Sequence, residues 1–328
     1  MSTSTVCVVV CAYTLDRWAE LVAACTAVNE QLRTGDSLVV VIDHNPELFE
    51  RARAAISAQV VESDGPQGLS GARNTGVRLA HADIVAFLDD DATPAAGWLE
   101  PLRTSFADPA VAAVGGAVNP RWEGGSAPRW FPAEYLWVVG CDYSGLPESG
   151  AEIRNPIGAN MAIRRIGFDL VGAFSTGVGR LGTVPVGCEE TEWCIRLKQA
   201  SPGSRVVRET ASVVDHLVPQ SRQTVKYFVR RCYHEGRSKA WLAGTVGASD
   251  SLKSERSYVL KALTAGARTA VVDAVHGDFA ALGRLVLIPV GVGAAGVGYL
   301  WVRLRPADKG IKTSAMVSGV NSALQTHH

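Results

Sequence analysis

Three carboxylates stand in a row in the stretch IVAFLDDDATPAAGWL, residues 84 to 99. Asp89, Asp90 and Asp91 follow an apolar run that reads as a buried strand. Carboxylates this close repel one another unless a cation, a helix terminus or full solvation relieves them. Side chains alternate in an extended segment, so Asp89 and Asp91 project to one side and Asp90 to the other. Two carboxylates at i and i+2 make a hard-oxygen chelate for Mg²⁺ or Mn²⁺, ions that share their remaining positions with substrate phosphates. The predicted ligand is a diphosphate. In the competing structural reading the triplet caps a helix starting near Thr93 and Pro94, which accounts for one carboxylate and not three.

Three further stretches carry groups of the same kind. GPQGLSGARNTG, residues 65 to 76, sets Gly and Ser ahead of a helix with Arg73 and Asn74 in its first turn, a loop able to approach a nucleotide closely. It matches neither the Walker A pattern nor GxGxxG, and an ordinary glycine-rich turn would look similar. GCEETEWCIRLKQA, residues 187 to 200, opens a helix with Glu189, Glu190 and Glu192. The helix dipole favours acids there and Glu192 can pair with Arg196 at i+4, but three glutamates exceed what capping requires. His216, in SVVDHLVP, follows a strand-like run and is a candidate metal or diphosphate ligand, although a lone His in such a place is commonly just a hydrogen-bonded residue.

These side chains need elements to position them. VCVVVCAY, LVVVID, QVVES and IVAFLD are short β-branched runs, separated by helical patterns near 15–32, 46–57 and 70–82. Such alternation predicts an α/β fold whose mostly parallel sheet has helices on both faces. Ligands gather at the carboxyl ends of strands in such sheets, where Asp43 closes one run and Asp89 another. A chain of 328 residues with 47% apolar and 20% charged content can bury a substantial core. Its seven cysteines show no CxxC spacing and read as reduced. The first residues have no basic segment ahead of the apolar run, so no secretory signal is expected.

Beyond His216 the pattern turns helical and basic. Residues 217 to 328 hold 15 Lys and Arg against 6 Asp and Glu, while residues 1 to 216 hold 17 against 26. A basic and apolar C-terminal part points to phospholipid headgroups and not to nucleic acid. In residues 223–244, aromatic residues are interleaved with Lys and Arg, which suits a helix at a membrane interface or one packed on the rest of the protein. LVLIPVGVGAAGVGYLWV, residues 285 to 302, has no charge and is just long enough to cross a bilayer. A membrane segment over 281–305 is therefore expected, preceded by a basic, aromatic helical region over 217–280 and followed by a flexible tail over 306–328. Trp122, Trp130 and Trp137 lie between the two acidic clusters, either as sugar platforms or as ordinary core.

In their order and spacing, CAYT, VVVIDHN, GLSGARNTG, AFLDDDATPAAGWL, GANMAIRR…VGAF and GCEETEWCIR resemble the family 2 glycosyltransferases, over about residues 5 to 216. The resemblance implies the GT-A fold for a catalytic domain over 1–216. It implies that Asp43 meets the nucleotide base, that Arg73, Asn74, Asp89 and Asp90 lie along the donor, and that Asp89 and Asp91, with His216, face Mg²⁺ or Mn²⁺. Glu189 and Glu190 occupy the place of the family's Glu-Asp pair, whose second member serves as catalytic base, so that role falls to Glu190. No QxxRW motif follows, which implies one sugar per encounter. The expected enzyme is an inverting, metal-dependent transferase at the cytoplasmic side of the cell membrane. It would move a sugar from a nucleotide-diphosphate sugar, UDP-linked, to a lipid-linked or cell-surface glycan. The alternatives are a sugar-phosphate nucleotidyltransferase, which needs a Lys-containing glycine-rich loop where this chain has AYTLDRW, and an inactive glycan-binding protein, which needs no base.

Overall fold

A computed structural model describes residues 4–176, 187–245 and 263–304. Strands β1 (Val6–Ala12), β2 (Ser37–Ile42), β3 (Gln59–Glu62), β4 (Ile84–Asp89), β5 (Ala92–Pro94), β6 (Val111–Trp122), β7 (Asn160–Arg164) and β8 (Arg205–Val218) form one sheet in the order β3-β2-β1-β4-β7-β6-β8-β5. The first four in sequence lie parallel, as β3-β2-β1-β4; β7 runs antiparallel to both β4 and β6, and β6 and β8 are again parallel. The predicted α/β sheet is therefore present, its parallel part joined to a mixed second half.

Alternation along β1 explains why both faces are covered. Val6, Val8 and Val10 join one core with Leu21, Ala24, Cys25 and Val28 of helix α1 (Trp18–Asn29) and Leu48 and Ala52 of α2 (Pro46–Ala55). Cys7 and Val9 join the opposite core with Ala72 and Val77 of α3 (Leu69–Leu79), Phe168 of α5 (Arg165–Val171) and Trp193 of α6 (Glu189–Ala200). A strand buried on both faces needs apolar residues at every position, which is what VCVVVCA supplies.

No helix starts at Thr93 and Pro94. Those residues lie in β5, which pairs antiparallel with β8 so that Ala92 faces His216 and Thr93 faces Asp215; the next helix, α4, is Leu99–Ser105. Capping thus does not account for the acidic triplet. The pairing instead brings His216 to it, and the Leu217 N–H donates to the Asp91 carbonyl at 2.8 Å.

The GANMAIRR stretch does structural work at the sheet centre. Asn160, fully buried, donates from Nδ2 to the carbonyls of Ala117 and Ser212, both at 2.9 Å, and accepts from Trp98 Nε1 at 2.8 Å. It thereby ties β7 to the irregular step where β6 meets β8. Asn160→Leu orphans all three partners, and urea unfolding should show a loss of about 3 kcal/mol.

Among the described residues three α-helices follow the sheet: α7 (Val225–Thr245), α8 (Thr264–Val275) and α9 (Ala280–Leu304). Phe228 of α7 is fully buried and its ring meets Trp130, Phe131 and Tyr135 at centroid separations of 6.3, 5.7 and 5.0 Å. The basic, aromatic helix is thus docked on the preceding domain, the second of its two expected placements. Trp122 and Trp130 pack on Phe131, and Trp137 packs on Tyr135 and under Arg231, so these tryptophans serve packing. The tail expected over 306–328 lies outside the described residues.

Candidate active site

The carboxyl ends of β1, β2 and β4 open on one side of the sheet, and the acidic groups gather there. Asp43 follows β2; its Oδ2 accepts from the Gly68 N–H at 2.9 Å and its Oδ1 lies 2.8 Å from His44 Nδ1. It thus anchors the glycine-rich loop that opens α3. Only two non-glycine residues among those described have positive φ, His44 at 52° and Cys188 at 95°. Each adjoins a candidate residue, Asp43 or Glu189, and backbone strain of this kind concentrates at functional sites.

Asp89, Asp91 and His216 each offer one ligand atom within 4.8 Å of the others. Asp91 is 3% exposed, and its buried Oδ1 accepts no hydrogen bond although His216 Nε2 stands 3.1 Å away. Burial alone would raise the Asp91 carboxyl, but the His216 imidazolium, then Arg17 and Arg222, hold it far below the ordinary carboxylate range. His216 is moved in the opposite sense: burial works against its charge, and Asp91 more than compensates, pushing it up to about 10. Two carboxylate oxygens and an imidazole nitrogen that gives up its proton to bind form a donor set that fits Mn²⁺ or Mg²⁺.

Two residues in this cluster were not foreseen. Arg17, just after β1, spans Asp90 Oδ1 at 2.9 Å and Asp91 Oδ2 at 2.7 Å, and Arg222, just after β8, lies 3.8 Å from Asp91 Oδ2. The available signal was position: AYTLDRW follows a strand whose carboxyl end faces the ligand side. Asp90, expected along the donor, is 3% exposed and held by Arg17; its burial pushes its carboxyl up.

Arg73 forms a second hub. Its guanidinium, 2% exposed, reaches Glu190 at 2.8 Å, Glu189 at 3.2 Å and Asp89 at 3.4 Å, and donates to the Gly158 carbonyl at 3.2 Å. Burial alone would weaken its charge, and Glu190, Asp89 and Glu189 raise it above its ordinary value instead. Arg73 therefore joins Asp89, at the end of β4, to the first turn of α6 from inside the protein, where the sequence had placed it along the donor. Asn74 is committed elsewhere, donating to the Phe174 carbonyl at 2.8 Å and accepting its N–H at 2.9 Å. Of the two glutamates, Glu190 has the more accessible side chain, 15% exposed against 4% for Glu189.

A profile described as Glycosyl transferase family 2 matches residues 7–170. The chain belongs to glycosyltransferase family 2. This family 2 glycosyltransferase is 32% identical over 308 residues to the glucosyl-dolichyl phosphate glucuronosyltransferase of Haloferax volcanii, covering 92% of this chain and 97% of that one. It is 28% identical over 237 residues to the succinoglycan biosynthesis protein ExoM of Rhizobium meliloti, covering 70% and 72% of the two chains. Among solved structures, a mannosyltransferase of Pyrobaculum calidifontis in complex with GDP-Man and Mn²⁺ superposes with a TM-score of 0.58 at 21% identity, over 92% of this chain and 88% of the other. The GT-A fold expected from the motifs is thereby shown, and the protein is a glycosyltransferase.

Proposed function

We propose that this glycosyltransferase moves one sugar per encounter, with inversion, from a UDP-linked sugar to a lipid-linked or cell-surface glycan at the cytoplasmic face of the cell membrane. The observation that carries the reading is the single site in which the Asp89, Asp91 and His216 cluster and the Glu189, Glu190 helix start meet through Arg73. The Haloferax relative, named for acting on glucosyl-dolichyl phosphate, supports a lipid-linked acceptor.

Asp89, Asp91 and His216 would hold Mg²⁺ or Mn²⁺, which when bound supplies neutralisation of the charge that develops on the leaving nucleoside diphosphate. Asp43 fixes the glycine-rich loop at the donor end. Glu190 takes the proton from an acceptor hydroxyl as the oxygen attacks C1 from the face opposite the diphosphate. An acceptor that already carries a sugar attacks through a neutral hydroxyl, so a base is required. Arg73 fixes the orientation of Glu190 and keeps three carboxylates, Asp89, Glu189 and Glu190, within reach of one buried cation.

Gly158 makes that arrangement possible. A methyl group there would collide with Glu190 Oε1 and with Arg73 Nη2. Gly158→Ala should displace both and lower turnover about 10²-fold, the scale of a misplacement near 1 Å, with nucleotide binding retained. Steady-state and calorimetric measurements on the same preparation check this.

The reading as a whole is tested by calorimetry against UDP, GDP, CMP and dTDP, each with and without Mn²⁺, followed by transfer assays with the sugars of the nucleotide that binds. UDP binding that needs Mn²⁺ is expected. Failure of every nucleotide to bind would refute the donor site, and binding of GDP alone would move the donor to that class.

A further inference from the structure

Helix α9 is held along one side by the protein and bare along the other. Its first half lies on the catalytic domain: Ala281 is fully buried, the Tyr135 hydroxyl donates to the Ile288 carbonyl at 2.8 Å, and Gly291 lies against the Tyr135 ring. Its second half lies on α7, where Gly236 meets the Ala295 carbonyl and Gly298 meets that of Tyr233 so closely that neither position has room for a methyl group. The opposite face exposes Val286 (59%), Val297 (60%), Leu300 (54%) and Leu304 (77%), and the adjoining end of α8 and its turn add Val275 (79%) and Phe279 (76%).

The best 18-residue window of α9 has a mean hydropathy of 2.0 and is 22% buried. A bilayer is the occupant that suits this face. From Leu285 to Val302 only Tyr299 and Trp301 carry a polar side-chain atom, whereas a protein interface needs about one hydrogen bond per 100–200 Å². Arg303 lies over the Tyr299 ring at 5.8 Å, next to Trp301, an aromatic and basic group of the kind that sits at headgroup level. Asp273 and Asp278 are neutralised by Arg284, at 2.7 and 3.1 Å, together with Arg129 at 2.8 Å from Asp278, and the basic excess beyond His216 complements anionic lipid.

The packed side decides how the helix meets lipid. α7, whose backbone at Tyr233 and Gly236 lies against α9, carries Arg230, Arg231, Glu235, Arg237 and Lys239. If α9 crossed the bilayer it would draw α7 and residues 129–135 in with it, at about 2.5–3.5 kcal/mol for each charged side chain near the centre.

We propose that the protein is monotopic: α8 and α9 lie along one leaflet with their bare apolar face in the acyl region, and α9 does not cross. This rests on the membrane placement given under Proposed function and specifies its geometry.

The test uses the full chain with different tags at the two termini, reconstituted with phosphatidylcholine and phosphatidylglycerol vesicles, then flotation and external protease. The expected result is flotation, with both tags cut on the vesicles that expose the N-terminal tag. Flotation with the C-terminal tag protected on those vesicles means that α9 crosses; this overturns the monotopic geometry and leaves the membrane placement standing. Absence of flotation overturns both.

Val286→Glu combined with Val297→Glu changes two exposed positions, so thermal unfolding should be unaltered while vesicle binding falls more than about tenfold. Unchanged binding of this variant would assign the lipid contact to another surface. A dimer in solution that the variant converts to monomer, with flotation of neither, would identify the face as a seam between two copies.

Discussion

Asp91→Asn is expected to lower turnover on the order of 10³-fold, equal to about 4 kcal/mol, and to remove the Mn²⁺ dependence of donor binding. Asp91 is the most heavily engaged carboxylate in the cluster, with Arg17 at 2.7 Å, His216 at 3.1 Å and Arg222 at 3.8 Å. Asparagine keeps the volume and the Oδ1 position and loses the charge. Alanine is a harsher choice, because His216 would be left buried without its partner and Arg17 with Asp90 alone, at a cost of about 3–5 kcal/mol. Calorimetry with donor and Mn²⁺, beside a melting curve to show that the fold persists, reads the effect directly. Unchanged donor affinity in the presence of metal would remove Asp91 from the metal site.

Glu190→Gln is the second large effect. Turnover should fall by about two to four orders of magnitude, the usual contribution of a general base, with donor affinity unchanged. The choice of Glu190 over Glu189 follows from geometry: both face Arg73 Nη1, but the Glu189 side chain is almost wholly buried while that of Glu190 reaches the surface of the site. A proton acceptor has to meet the acceptor hydroxyl, and a residue shut behind Arg73 does not. The amide retains the hydrogen bond from Arg73 and abolishes basicity, so rapid-quench measurement of the chemical step separates the two functions. A greater loss for Glu189→Gln would transfer the role to it.

Much of this site was legible because its groups lie at the ends of elements with strong local signals. β-branched runs such as VCVVVCA and IVAFLD mark strands through a period that depends only on neighbouring residues, and Asp43 and Asp89 follow from where those runs stop. Glu189 and Glu190 opened a helix as expected. Arg17 was not read as part of the cluster, because its partners Asp90 and Asp91 lie more than 70 residues away in sequence, in the turn between β4 and β5. Asn74 was expected along the donor beside Arg73, yet its partner in space is Phe174, 100 residues away at the end of the GANMAIRR…VGAF stretch.

The amino-acid sequence by itself determined the alternation of strands and helices, the family, and which carboxylates could do chemistry, because these depend on side-chain period, composition and short spacings. The tertiary structure decided which of those carboxylates lie within reach of one another, that His216 belongs with Asp91, and which side of α9 is bare. The pairing of β5 with β8 and the packing of α9 on α7 bring together residues far apart in the chain, and the charge and exposure of a buried group are set by the neighbours it meets there.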